Sequence, residues 1–84
     1  MRLDKYLKVS RLIKRRTVAN DACDGERVSV NGKVVKPSYN VKIGDIIQIT
    51  FGTKSVSVKV LDIRETTKKA ESVGMYEVLS ESDV

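Results

Sequence analysis

The sequence has no histidine and no tryptophan, and only one cysteine, one proline and one phenylalanine in 84 residues. Without histidine, neither a Ser-His-Asp nor a Cys-His nucleophile pair can be assembled. One cysteine and no histidine leave no ligand set for a zinc site within one chain. A lone cysteine forms no internal disulfide, which fits a reducing, cytoplasmic setting. No apolar run approaches the ~18 residues of a membrane span. The start, Met1-Arg2-Leu3-Asp4, lacks the apolar core of a secretion signal, so no membrane partner is expected. The glycines at 25, 32, 44, 52 and 74 fit neither a P-loop nor a dinucleotide fingerprint. No catalytic residue, metal or cofactor is therefore expected. Aromatic side chains make up 5% of the chain, too few for base stacking to be the main mode of any nucleic-acid binding.

What is present is valine and positive charge. Apolar residues are 40% of the chain, enough for one small core, and the length allows a single domain. The net charge of +5 is unevenly spread. Residues 1–16 carry seven bases (Arg2, Lys5, Lys8, Arg11, Lys14, Arg15, Arg16) against one acid, Asp4. Residues 71–84 carry four acids and no base. Solvated helices usually mix signs, so a segment this one-sided points to a polyanion met by the head of the chain.

Leu3, Tyr6, Leu7 and Ser10 recur at helical spacing, which predicts a first helix over about 3–11. Arg2, Lys5, Lys8 and Arg11 then form an i, i+3 row on its exposed side. Lys14-Arg15-Arg16 turns the chain into a second short helix, with Thr17 as a possible cap and Gly25 as its stop. In that helix Val18/Ala22 and Ala19/Cys23 form a small-residue stripe that can pack close to the first helix, and Cys23 is expected there as a buried structural thiol. Asp21 and Asp24 are expected to be ordinary surface acids of the same helix.

After Gly25 the period changes to two. Residues 27–30 and 33–36 flank Asn31-Gly32, the strongest short hairpin signal, and Pro37 ends the second strand. Residues 38–44 connect to a strand with Ile47, Ile49 and Phe51 on one face, and Val56, Val58 and Val60 repeat the pattern. Residues 64–74 read as a mobile loop, and Met75–Leu79 can return as a last strand before a frayed acidic end. Two helices followed by a meander of four or five strands make an α+β fold. Residues 1–63 form the domain, and 64–84 the loop, short strand and acidic tail. Tyr6 and Phe51 fit the core stripes of their elements. Tyr39 has no periodic role, and base contact and loop anchoring remain open for it.

The motifs Arg2-Leu-Asp-Lys-Tyr-Leu7, Lys14-Arg-Arg-Thr17, Arg27-Val-Ser-Val-Asn-Gly-Lys33, Lys36-Pro37 and Gly44-Asp45 resemble the RNA-binding domain named after ribosomal protein S-four. The resemblance covers about residues 1–51. It implies an alpha-L fold in which two N-terminal helices pack on a small, mostly antiparallel sheet and present the basic surface. Among free-standing forms, the chain is most similar to the short ribosome-quality-control relatives of the heat-shock-protein-fifteen family, with Thr66-Thr-Lys-Lys69 and Met75-Tyr76 extending the likeness.

That resemblance implies a ribosome-associated factor that touches large-subunit rRNA and the P-site tRNA of obstructed subunits, and the chain is expected to act as a monomer. It would hold the tRNA while a partner, RqcH, directs alanine tailing. Arg2 and Arg16 match the family's principal RNA-contacting arginines. Lys5, Lys8, Arg11, Lys14 and Arg15 support them, with Asn31 at the hairpin turn and Lys33 and Lys36 beside it. Two rivals are a recycling factor of the heat-shock type and a protein–protein adaptor using a sheet edge and the acidic tail. The family also has glycine directly before the Arg27 position, where this chain has Glu26. Either the helix ends a residue sooner, or Glu26 takes a backbone state that costs about 1 kcal/mol.

Overall fold

The computed structural model describes residues 1–64 and 73–83, so most of the loop expected over 64–74 lies outside the described residues. Helix α1 spans Leu3–Val9 and α2 spans Arg16–Asp24. Strands β1 (Val28–Val30), β2 (Lys33–Val34), β3 (Ile46–Phe51), β4 (Lys54–Val60) and β5 (Tyr76–Asp83) follow, with a 3-10 turn over Val73–Met75.

The apolar spacing of the first segment is realised directly. Leu3, Tyr6 and Leu7 are fully buried on one face of α1. They pack in one cluster with Ala19, Ala22 and Cys23 of α2 and with Val28, Val30, Ile47, Ile49, Val58 and Val60 of the sheet. Each large aliphatic side chain buried in this way contributes about 1.5–3 kcal/mol. The Tyr6 hydroxyl is satisfied inside the core, donating to the Met75 carbonyl at 2.7 Å.

Helix α1 is two residues shorter than its pattern predicts. Ser10 caps it, and Arg11 adopts a left-handed backbone (φ 64°). The Arg11 amide donates to the Lys8 carbonyl at 3.0 Å and the Ile13 amide to the Leu7 carbonyl at 3.0 Å. The continuous i, i+3 row therefore breaks after Lys8, and Arg11 lies beyond the helix. Helix α2 begins at Arg16, with Arg15 at the cap position and no side-chain cap, so Thr17 is inside the helix instead. Val18 is also displaced from its expected role, being 48% exposed while Ala19, Ala22 and Cys23 form the buried stripe.

Helix α2 stops at Gly25 as expected, yet Gly25 is not the left-handed residue. Its φ is −80°, and Glu26 takes φ 60°. The Glu26 amide donates to Cys23 at 3.1 Å and the Arg27 amide to Ala22 at 2.9 Å. This pair of bonds is a Schellman closure with glutamate in the position that favours glycine.

The strands form one antiparallel sheet in the order β2-β1-β3-β4-β5. It is not a plain meander, because β1 lies between its hairpin partner β2 and β3. Strand β5 is longer than the expected 75–79 return and pairs with β4 from Val60–Tyr76 to Lys54–Asp83. The chain's acidic end is thus described as the outer strand up to Asp83. Phe51 departs from the core prediction: at the end of β3, opposite Lys54, it is 44% exposed.

Candidate nucleic-acid interface

Seven bases crowd the first sixteen residues, and one buried acid organises the start of that segment. Asp4 is 2% exposed. Arg2 donates to it through two parallel bonds, Nε to Oδ1 and the terminal nitrogen to Oδ2, each 3.1 Å. The Lys5 amide donates at 2.8 Å and the Asn20 side chain at 3.4 Å. Arg16 Nε stands 3.6 Å from Oδ2. Burial alone would push the Asp4 carboxyl up. The bonds from Arg2, Asn20 and the Lys5 amide, with the Arg16 charge, outweigh it and hold the group below its ordinary value.

Both guanidinium groups stay about half exposed, 51% for Arg2 and 49% for Arg16, over an acid whose side chain is 3% exposed. Arginine presents five donors in a fixed fork, so Arg2, bonded to Asp4 along one edge, keeps its other edge for phosphate, while Arg16 is held beside it by the ion pair alone. The two arginines that the family resemblance singles out thus meet on one carboxylate. Beside them, Asp4, Arg16, Thr17, Asn20 and Asp21 line an open cleft of about 310 Å³.

The position of Arg2 is fixed from the backbone as well. The first amides of α1 have no intrahelical acceptor. They are met by the connecting segment, Leu3 donating to the Tyr39 carbonyl at 2.8 Å and Asp4 to the Pro37 carbonyl at 3.2 Å. Arg2 pairs with Asn40, the Met1 carbonyl accepts from Val41 at 2.9 Å, and the Met1 amino group donates to Asn40 Oδ1 at 2.8 Å. The segment that follows Lys36 is therefore stitched to the start of the basic helix.

A second buried carboxylate holds that segment in place. Asp45 accepts from the Tyr39 hydroxyl at 2.9 Å, the Lys42 amide at 2.9 Å and Asn31 Nδ2 at 3.1 Å. Burial raises its pKa, and these bonds together with the Lys42 charge reverse the shift, leaving it lowered. Tyr39 is a half-buried loop anchor, and its bond to Asp45 raises its own pKa. The Asn31 amide is also engaged on its other side, Oδ1 accepting from the Ile46 amide at 2.9 Å. Both atoms of that side chain thus have partners within the chain.

Lys8, Arg11, Lys14, Arg15, Lys33 and Lys36 are exposed and Lys5 is half-buried. Cys23 is buried, and burial followed by the charges of Asp4 and Asp24 pushes its thiol up to about 11, so it remains a neutral thiol at neutral pH. Asp4 and Asp45 escape a reading of the sequence by charge and period. The one signal for Asp4 was its isolation, a lone acid among seven bases.

A family model described as the S4 domain matches residues 1–47. The chain belongs to the S4 domain family. Asp4, Arg2, Arg16 and Asp45 all fall within the S4 match. A Streptococcus pneumoniae protein named RQC P-site tRNA stabilizing factor is 54% identical over 84 residues, covering all of this chain and 96% of that one. A Bacillus subtilis protein of the same name is 53% identical over 81 residues, covering 96% of this chain and 94% of its own length. Among solved structures, Vibrio cholerae Heat Shock Protein 15, described as trimeric, superposes with a TM-score of 0.88 at 30% identity. That match covers 95% of this chain and 82% of the other. The expected α+β, S4-type architecture is thus the one observed.

Proposed function

We propose that this chain is a non-catalytic RNA-binding factor of ribosome quality control. It binds large ribosomal subunits that carry an obstructed peptidyl-tRNA and steadies the P-site tRNA. The single observation that carries the reading is the pair of half-exposed guanidinium groups held on one buried carboxylate, Asp4. Such a pair grips phosphates in a set geometry but reads little sequence, so folded RNA recognised by shape is the fitting ligand. Identity of 53–54% over nearly the whole chain to relatives named RQC P-site tRNA stabilizing factor supports the setting. In this reading residues 1–63 are the RNA-binding domain. Arg2 and Arg16 hold an rRNA helix, with Lys5, Lys8, Arg11, Lys14, Arg15, Lys33 and Lys36 extending the surface towards tRNA. The protein acts as a monomer alongside RqcH in alanine tailing of the stalled chain.

Sedimentation with purified large subunits tests the assignment. Arg2→Ala and Arg16→Ala should each weaken association about tenfold, the cost of losing a charge-assisted bond, with the circular dichroism unchanged. Unchanged co-sedimentation of both variants would sink it. Deleting the gene should abolish alanine tails. Tails that persist, with slower recycling of subunits, would favour the second reading, a heat-shock-type recycling factor, which the superposition on Heat Shock Protein 15 supports.

A further inference from the structure

We infer that the cleft beside Arg16 takes one unpaired guanosine of the bound RNA, its phosphate on Arg2 and Arg16 and its base edge on the Asp21 carboxylate. This rests on the RNA-binding reading and deepens it from shape to a base. The cleft is lined by Asp4, Arg16, Thr17, Asn20 and Asp21 and has a volume of about 310 Å³. Arg16/Asn20 and Thr17/Asp21 are i, i+4 pairs on two adjacent stripes of α2, and all four side chains line the cleft. At one end Arg16 stands 3.6 Å from Asp4, the carboxylate that Arg2 also bonds. At the other, Asp21 is exposed and its carboxylate has no hydrogen bond or ion pair among the described residues. Arg16 and Asp21 lie five positions apart, about 7–8 Å along the helix axis, the scale of one nucleotide from phosphate to base edge.

A bare carboxylate on a phosphate-binding face works against the ligand unless it meets hydrogen-bond donors. Among the four bases only guanine offers two parallel donors on its Watson–Crick edge, the N1 hydrogen and the exocyclic amino group, which match both oxygens of a carboxylate. Adenine and cytosine set one amino group beside an acceptor, and uracil sets one N–H between two carbonyls. The cleft therefore discriminates by the chemistry of Asp21. Asn20 donates only a long 3.4 Å bond to Asp4, and Oδ1 of its amide has no donor among the described residues, so the amide is available to the sugar or to guanine O6.

The competing account, a solvated helix acid with no ligand, makes the opposite prediction for one substitution. Under it Asp21→Asn removes repulsion and tightens RNA binding; under the inference it weakens binding wherever the guanine is present. The full chain is titrated with the pentaribonucleotides UUGUU, UUIUU and UUAUU, inosine lacking only the exocyclic amino group. Amide shifts of residues 16–21 report the binding. UUGUU is expected to bind about tenfold or more tightly than UUIUU, the cost of one charge-assisted bond, and Asp21→Asn to erase that preference. Equal affinity for the two RNAs, or a variant that binds UUGUU more tightly than the parent, overturns the inference. If none of the three shifts the cleft while the chain still co-sediments with large subunits, the guanosine site falls and the RNA-binding reading stands. Loss of co-sedimentation brings down that reading itself, and with it the inference.

Discussion

Asp4 and Asp45 solve the same problem with different partners. Each is a nearly buried carboxylate that several donors hold ionised. Asp4 draws on two arginines whose far sides stay in water. Asp45 draws on a tyrosine hydroxyl, an asparagine amide and a backbone N–H. A carboxylate satisfied by neutral donors spends its bonding inside the fold and fixes a loop. A carboxylate satisfied by half-exposed cations fixes the loose ends of two long side chains and so shapes a surface. The two are also linked in series. Asp45 holds Tyr39, whose carbonyl receives the Leu3 amide at the start of α1, where Arg2 meets Asp4.

The sharpest break of this comparison is at Asp45. Asp45→Ala removes three bonds to a charged acceptor and strands their donors, which should cost about 3 kcal/mol of stability in urea unfolding. RNA affinity measured on the folded fraction should fall less than it does for Asp4→Asn, because Asp45 reaches Arg2 only through the Tyr39 segment. At Asp4 the order reverses. Asp4→Asn keeps the shape and loses the charge, and because both arginines are half exposed the stability cost is expected to be only about 1 kcal/mol. Freeing two arginines costs about 0.5–1.5 kcal/mol each when they must be ordered again on RNA. The extra positive charge repays part of this, but salt at 0.15 M screens exposed charges beyond about 8 Å. Association with large subunits at that salt should therefore weaken about three- to tenfold. If Asp45→Ala impairs RNA binding more than Asp4→Asn at equal folded fraction, the division between the two hubs is wrong.

Acid should dissolve both hubs together. Each carboxylate is lowered in the folded state, so its contribution is complete above the unfolded value and vanishes as pH falls through the folded one. The melting temperature should stay level from neutral pH down to about pH 4, near the ordinary aspartate value, and fall below it. Asp4→Asn and Asp45→Asn should each make that fall shallower. A variant with an unaltered acid limb would show that its carboxylate is not coupled to folding.

The contrast between the hubs also explains what the sequence could disclose. Leu3, Tyr6 and Leu7, the Asn31-Gly32 turn and the alternation Ile47/Ile49 and Val58/Val60 are local patterns, and each became the expected element. The cations were legible as a surplus of charge. Their ordering was not, because the Asp4 partners Arg16 and Asn20 lie 12 and 16 positions away, and the Asp45 partner Asn31 is 14 away. The insertion of β1 between β2 and β3 has the same origin. Strand order depends on which edge the connection after Pro37 reaches, and no local period encodes that. Phe51 misled because alternation gives the face of a residue but not whether anything covers the end of that face.

The smallest effect concerns a third acid, which bounds the other two from below. Glu26 is exposed, and its side chain makes no bond among the described residues, so nothing repays its left-handed φ of 60°. A side chain in that region costs about 1–2 kcal/mol, whereas glycine enters it freely but gives up more chain entropy on folding. The two terms partly cancel, and Glu26→Gly should stabilise the protein by about 1 kcal/mol or slightly less. The Schellman bonds from residue 26 to Cys23 and from Arg27 to Ala22 would be kept, so α2 and the arginine at its start would not move. Urea unfolding should thus shift to higher midpoint with an unchanged slope, and large-subunit binding should match the parent. A destabilised Glu26→Gly would mean that the glutamate is held by a favourable contact after all. An acid that costs stability where it stands alone, beside two that supply it where they are surrounded, would leave the donors as the source of the difference.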